Sequence, residues 1–240
     1  TYAFSGCSSL TDVTLPSSIT KISNYAFRNC TSLTVLPLTS NITSIGISAF
    51  EGCTSLSNII IPNGVTWNVT TIDESAFEGC IGITSLTIPE GVTTIGKNAF
   101  NNCTNIEVLS IPSTVTSIYN DYDYKNAHSF NGCSIDSIYW NAKKYGTNSS
   151  TYAPFEYCSK KSAIRSIVFG DSVQSLPYDM CLGMSGLKTV KFEGNVKYIN
   201  GNAFQDCSAL EKIVIPETVT SIGTYAFSGC SSLTDVTLPS

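Results

Sequence analysis

The apolar positions of this chain fall on a lattice. Ala3-Phe4 is followed by Cys7 and Leu10, Ala26-Phe27 by Cys30 and Leu33, and Ala49-Phe50 by Cys53 and Leu56. After each Leu comes a β-rich stretch ending in Pro, as in Val13-Thr14-Leu15-Pro16. A Val/Ile-Thr-x-Ile step follows, such as Ile19-Thr20-Lys21-Ile22. The phrase returns ten times, every 23 residues wherever nothing is inserted. A fixed period in the twenties predicts a solenoid, in which each unit buries its apolar face only against its neighbours.

Aligned on its cysteine, the series runs Cys7, Cys30, Cys53, Cys80, Cys103, Cys133, Cys158, Met184, Cys207 and Cys230. The intervals are 23, 23, 27, 23, 30, 25, 26, 23 and 23. Met184 belongs in the series because Met180-Cys181 stand where Ala-Phe stand elsewhere, and Leu187 follows. In one unit the inward set is Ala99, Phe100, Cys103, Ile106, Leu109, Ile111, Val115 and Ile118. Leu109-Ser110-Ile111 has the alternation of a half-buried strand, and stacking such strands at ~4.8 Å predicts a parallel sheet along one side. Pro16, Pro62, Pro89, Pro112, Pro216 and Pro239 turn the corner after it, since Pro has no N–H to give a ladder.

A second, shorter extended piece is expected at Val92-Thr93-Thr94-Ile95 and its equivalents. The Ala-Phe-x-x-Cys stretch has room for one helical turn per repeat. The residue before each Cys is Gly6, Asn29, Gly52, Gly79, Asn102, Gly132, Gly183 (before Met184), Asp206 or Gly229. These types tolerate a left-handed backbone at a helix end. Tyr157 is the exception and marks an expected irregularity. The chain therefore reads as one solenoid of about ten turns over residues 1–240. Irregular insertions are expected around 66–70, 119–127, 141–154 and 159–163.

Apolar residues make up 42% of the chain, enough for a core, whereas charged residues are only 13% and Ser, Thr and Asn supply the polar surface. A net charge of −5 argues against a nucleic-acid partner, which needs clustered Lys and Arg. No apolar run approaches the ~20 residues of a membrane helix. Thr1–Ser17 recurs letter for letter as Thr224–Ser240, and neither end carries the polar cap that solenoids need. The chain reads as a piece of a longer array, truncated at both ends in mid-repeat, with any targeting segments outside it.

Ten cysteines invite three readings: a disulfide framework, metal or redox chemistry, or packing. Geometry favours packing. Equivalent side chains on neighbouring turns lie about 4.8 Å apart, beyond the ~3.8 Å between Cβ atoms that a disulfide prefers. Met184 shows that the site accepts a soft apolar filler.

The recurring Cys-x-x-Leu-x-x-Ile-x-Ile-Pro-x-x-Val-x-x-Ile-x-x-x-Ala-Phe, clearest in Cys80–Phe100 and Cys207–Phe227, resembles the BspA-like class of leucine-rich repeats. The likeness covers the whole chain. It departs from ordinary leucine-rich repeats, which carry Asn or Cys three residues after the strand where this chain has Ser18, Gly64 and Gly91. The resemblance implies a right-handed leucine-rich-repeat solenoid, β-rich, from the surface of a cell or secreted. Members are implicated in adhesion to host matrix proteins or other cells. It carries over no catalytic residue, no cofactor and no metal, because the motif is structural.

Two surfaces are candidates for binding. Insertions at matching phase emerge on one side of a solenoid, often the binding side. Seven of the twelve Tyr fall between residues 119 and 157, among them Tyr119, Tyr122, Tyr124, Tyr139, Tyr145 and Tyr152. Tyr offers apolar area with a polar tip; alternatively these rings cover an irregular seam. The second surface is the exposed sheet. Its centre column reads Thr14, Pro37, Ile60, Thr87, Ser110, Tyr139, Val168, Lys191, Val214 and Thr237, with Arg165, Lys188 and Lys212 nearby. Tyr139 is expected to face outward and Trp140 to be core.

His128, the only histidine, precedes Cys133 by five residues, but a Cys–His nucleophile needs an exposed thiolate that the repeat denies. Asp121 and Asp123 are too few for a calcium loop. The reading is a non-catalytic recognition or adhesion module whose partner is an extracellular or host-surface protein. Alternatives are a carbohydrate-capture module using the Tyr-rich inserts and a structural spacer displaying another domain.

Overall fold

The computed structural model describes residues 1–36, 38–57, 59, 67–119, 128–143, 145, 153–156 and 158–238. Parallel strands stack turn upon turn into two faces. The front face holds a five-stranded sheet of Ser85–Thr87, Val108–Ile111, Ser137–Trp140, Ser166–Phe169 and Thr189–Phe192. It continues as a pair, Lys212–Val214 with Asp235–Thr237. The side face holds two-residue strands from the Val/Ile-Thr-x-Ile step. Five, from Lys21–Ile22 to Ser117–Ile118, form one sheet, and three, Ser175–Leu176, Tyr198–Ile199 and Ser221–Ile222, form another. Together they mark about eight turns among the described residues, rather than the ten expected from the cysteine alignment.

Register is kept from turn to turn. Leu86 pairs with Leu109, Leu109 with Ile138 and Ile138 with Ile167, all pointing inward and all buried. Every member of the inward set Ala99, Phe100, Cys103, Ile106, Leu109, Ile111, Val115 and Ile118 is in the core. The Phe rings form a ladder, with centroids 5.4 Å apart between Phe27 and Phe50 and 5.5 Å between Phe77 and Phe100. Where Cys181 replaces a Phe, Phe169 reaches across from the front strand and meets Phe204 edge-on at 6.2 Å. A large front residue thus fills the volume that a small ladder residue leaves.

The expected helical turn in each repeat does not form. Among the described residues the helical element is one short 3-10 segment, Lys161–Ala163. Ala26 N–H bonds to Ser23 and Cys30 N–H to Phe27, closing tight local turns. The alternate N–H groups go elsewhere: Tyr25 to Ile47, Phe27 to Ala49 and Asn29 to Glu51, at 2.7–2.9 Å in the next unit. A helix would need all these donors for its own carbonyls. Two left-handed residues per unit, here Tyr25 (φ 59°) and Asn29 (φ 58°), aim the backbone across the stack. The second position matches expectation at all nine predicted residues from Gly6 to Gly229. Tyr157 lies outside the described residues.

The sulfur series is a ladder as well. All ten cysteines are free thiols. Cys53 Sγ donates to the Phe27 carbonyl at 3.1 Å, Cys80 to Phe50 at 3.1 Å and Cys103 to Phe77 at 3.0 Å. Cys207 donates to Cys181 at 3.2 Å, which confirms Cys181 as a Phe replacement. Each of these four thiols thereby fills space and bonds to a carbonyl of the turn before it.

Candidate functional site

The first described front strands turn Ser85, Thr87, Val108 and Ser110 outward, and the next ones change character. Register places Thr87, Ser110, Tyr139, Val168 and Lys191 in a single outward column, as the sequence implies. Thr14 lies outside any strand, and Pro37 and Ile60 outside the described residues. The corner residue after the strand is Pro in six units and Thr39 in the second, but Asn141, Gly170 and Glu193 in three consecutive later ones. Having N–H groups, these three extend the ladder by a rung. Asn141 donates to Ile111 at 2.9 Å, Gly170 to Trp140 at 2.8 Å and Glu193 to Phe169 at 2.8 Å.

The extra rung carries a polar network that spans three turns. The Tyr139 phenol lies beside Glu193, whose carboxylate holds Lys191 Nζ at 2.7 Å. Asn141 Oδ1 accepts from Ser172 N–H at 2.8 Å, and Asp171 Oδ1 accepts from Ser172 Oγ at 3.3 Å. A Cβ on Gly170 would stand 2.5 Å from both Tyr139 Oη and Asn141 Oδ1, so a larger residue there would push these side-chain ends aside. Burial, then the charges of Glu193 and Asp171, push the Tyr139 phenol above its ordinary pKa while Lys191 opposes them. It stays a neutral donor at neutral pH. Glu193, Asn141, Asp171 and Gly170 were not singled out from sequence, although three successive missing corner prolines were a signal.

Beside this network the front face is split. No backbone ladder joins Thr189–Phe192 to Lys212–Val214 among the described residues. An open cleft lies there, lined by Lys188, Thr189, Val190, Lys212, Ile213, Val214 and Asp235. The structure thus brings Tyr139 and Lys191 into one column and Lys188 and Lys212 into one cleft. Tyr119 stands elsewhere, half-buried after side strand Ser117–Ile118, with its carbonyl accepting from Ser129 Oγ at 3.1 Å. The expected surface role of Tyr145 is corrected. The ring is 3% exposed and packs edge-on against Trp140 at 5.2 Å, because the wide indole needs a partner at its edge. Burial pushes its phenol up. Tyr122, Tyr124 and Tyr152 lie outside the described residues.

The family model for BspA-type leucine-rich repeat regions matches in six copies over residues 1–68, 70–208 and 151–240. The chain belongs to the BspA-type leucine-rich repeat family. A leucine-rich repeat protein from Eubacterium ventriosum shares the fold, with a TM-score of 0.53 at 22% identity over 93% of this chain and 65% of that one. A leucine rich cell surface protein from Faecalibacterium prausnitzii is 27% identical over 98% of this chain and 74% of its own, with a TM-score of 0.40. A leucine-rich repeat protein from Bacteroides ovatus is 20% identical over 99% and 75%, at 0.41. No curated protein matches the sequence.

Within this leucine-rich repeat the sulfur ladder is chemically quiet. Burial pushes the Cys133 thiol up to about 12, so it stays protonated and out of reach of solvent at neutral pH. His128 is also buried. Among the described residues no group of three or more His, Cys, Asp or Glu could hold a metal ion. No helix among them is long and apolar enough to cross a membrane.

Proposed function

We propose that this leucine-rich repeat chain is a non-catalytic, surface-displayed or secreted recognition module. It binds an extracellular or host-surface protein through the front face between Tyr139 and Lys212. The observation that carries this reading is the proline-free corner. There a front face of Ser, Thr and Val gives way to a half-buried aromatic beside charged side chains, next to a cleft lined by two ammonium groups and the Asp235 carboxylate. Tyr at the centre of a patch with charged residues around it is the composition of an interface hot spot. Display at a surface rests on family membership and on the Faecalibacterium protein being a cell surface protein.

The test is binding of the chain to arrays of matrix proteins, cell-surface proteins and glycans. Protein capture is expected, weakened about tenfold or more by Tyr139→Ala or by joint reversal of Lys188, Lys191 and Lys212 to Glu. Reversal of Lys97, which pairs with Glu74 at 3.6 Å away from the front column, should leave it intact. Retention by glycans alone contradicts the reading and favours carbohydrate capture. Silence on every array leaves the structural spacer.

A further inference from the structure

Immediately before four successive front strands stand Glu107, Asp136, Arg165 and Lys188. They form one column, rung by rung. Asp136 N–H bonds to the Glu107 carbonyl at 2.8 Å, Arg165 to Asp136 at 2.7 Å and Lys188 to Arg165 at 2.9 Å. All four residues are exposed, and among the described residues none has an ion-pair partner. Arg165 Nη1 donates to the Ser162 carbonyl at 2.7 Å, which leaves its other N–H groups for a carboxylate. The column therefore reads acid, acid, base, base at the ~4.8 Å strand spacing.

That order is self-complementary. Two copies of the face can meet about a twofold axis running along the strands, midway between Ser137–Trp140 and Ser166–Phe169. Such an axis reverses the order of turns and keeps position along the strand. Asp136 then faces Arg165 of the second copy, and Glu107 faces its Lys188. Each contact occurs twice, because a twofold interface uses the same patch on both sides. The four residues give one unlike neighbouring pair within a chain but four unlike pairs across the axis. On the rest of the face the axis sets Tyr139 over Val168, Val108 over Thr189 and Ser110 over Lys191, whose charge Glu193 balances at 2.7 Å. Among the front-strand residues from Ser85 to Val214 no like charges meet. A twofold axis along the stack would instead set each turn against itself, leaving acids level with acids and bases with bases.

We infer that the front face docks on a second copy of this chain, with the two solenoids antiparallel. The inference deepens the recognition reading, and rests on it, by naming the partner of that face as another molecule of the same protein. Six front strands at ~4.8 Å by four residues at ~3.3 Å make a contact of about 400 Å² per copy, the size of a weak, reversible encounter. Exposed ion pairs suit that role. Each adds little affinity, but their order fixes partner and register and rejects a face of the wrong sign.

The experiment is sedimentation of the full chain across a range of concentrations, at low and high salt. The native chain is expected to approach a dimer, with association weakened about tenfold or more between about 0.05 and 0.5 M salt. Glu107→Lys with Asp136→Lys makes the column wholly basic, and Arg165→Glu with Lys188→Glu makes it wholly acidic. Each variant alone should be monomeric. Mixed in equal amounts, they should pair at least about tenfold more tightly than either does with itself. From a net charge of −5, a gain or loss of four leaves both variants negative, so the recovery comes from the facing columns. A native chain that is monomeric throughout, a dimer that both variants keep, or a mixture that does not pair overturns the inference. Capture of a different protein by a monomeric chain defeats the inference alone, whereas binding to neither a second copy nor any arrayed protein defeats the recognition reading with it. Circular dichroism confirms that the variants are folded, as expected for four exposed positions.

Discussion

Replacing Phe100 by Ala lowers the stability of the chain by about 3–5 kcal/mol and melts the turns on both sides of it. Phe100 is fully buried, with ring centroids 5.5 Å from Phe77 and 5.6 Å from Phe130. Truncation leaves a cavity that two neighbouring turns line and that no third element can fill, because a solenoid has no contacts beyond the adjacent unit. The same substitution at Phe4 is the internal control. That ring is 37% exposed and stacks on Phe27 alone, so less than about 1.5 kcal/mol is expected. Urea unfolding followed by circular dichroism measures both. Equal losses at the two positions would contradict the ladder.

The second large effect is alkaline unfolding. Burial, as the first cause in each case, pushes the Cys53, Cys133, Cys158 and Cys207 thiols from an ordinary 9.0 up to about 12. Cys80, Cys103 and Cys181 are raised well above that ordinary value for the same reason. Between those limits the unfolded chain has lost the proton that the folded chain keeps, so stability falls as pH rises. The contribution is whole below pH 9 and is lost as pH climbs towards 12. Each thiol accounts for about 1.4 kcal/mol per pH unit, so four of them near pH 10 remove about 5–6 kcal/mol, on the scale of a domain's whole stability. Ionisation also removes the S–H that Cys53 donates to Phe27. The circular dichroism signal should collapse between pH 9 and 11. Cys103→Ala, with a smaller filler that cannot ionise, should move that midpoint upward even though it lowers stability at pH 7. A fold unchanged at pH 11 would contradict burial of the ladder.

The inward set, the parallel front sheet and the left-handed residue at the nine positions from Gly6 to Gly229 were legible in the chain, because each follows from residue type at a fixed period. The helical turn was not. Whether the Phe27 N–H bonds within its own unit or to Ala49 depends on the neighbouring turn, which no local pattern reports. The second left-handed position was hidden for a related reason. Tyr2, Tyr25 and Tyr225 occupy it at φ 57–59°, where Tyr is disfavoured. At Tyr25 the bond to Ile47 and the stack on Tyr2 hold it there. Tyr145 was read as surface because tyrosines cluster in that insertion, but the edge of Trp140 had to be covered. At the candidate site Tyr139 and Lys191 were legible from the column they share. Their link through Glu193 needed the extended rung, and the rung needed attention to a proline that is absent.

Native-state thiol labelling resolved by mass spectrometry tests the stacked-turn account most directly. Cys7 is exposed, Cys230 half-buried and the other eight buried. Alkylation at pH 7.5 should mark Cys7 at once, Cys230 more slowly, and the remaining eight only after denaturant is added. Uniform labelling of the folded chain, or sulfurs locked in disulfides and open to no label, would contradict it.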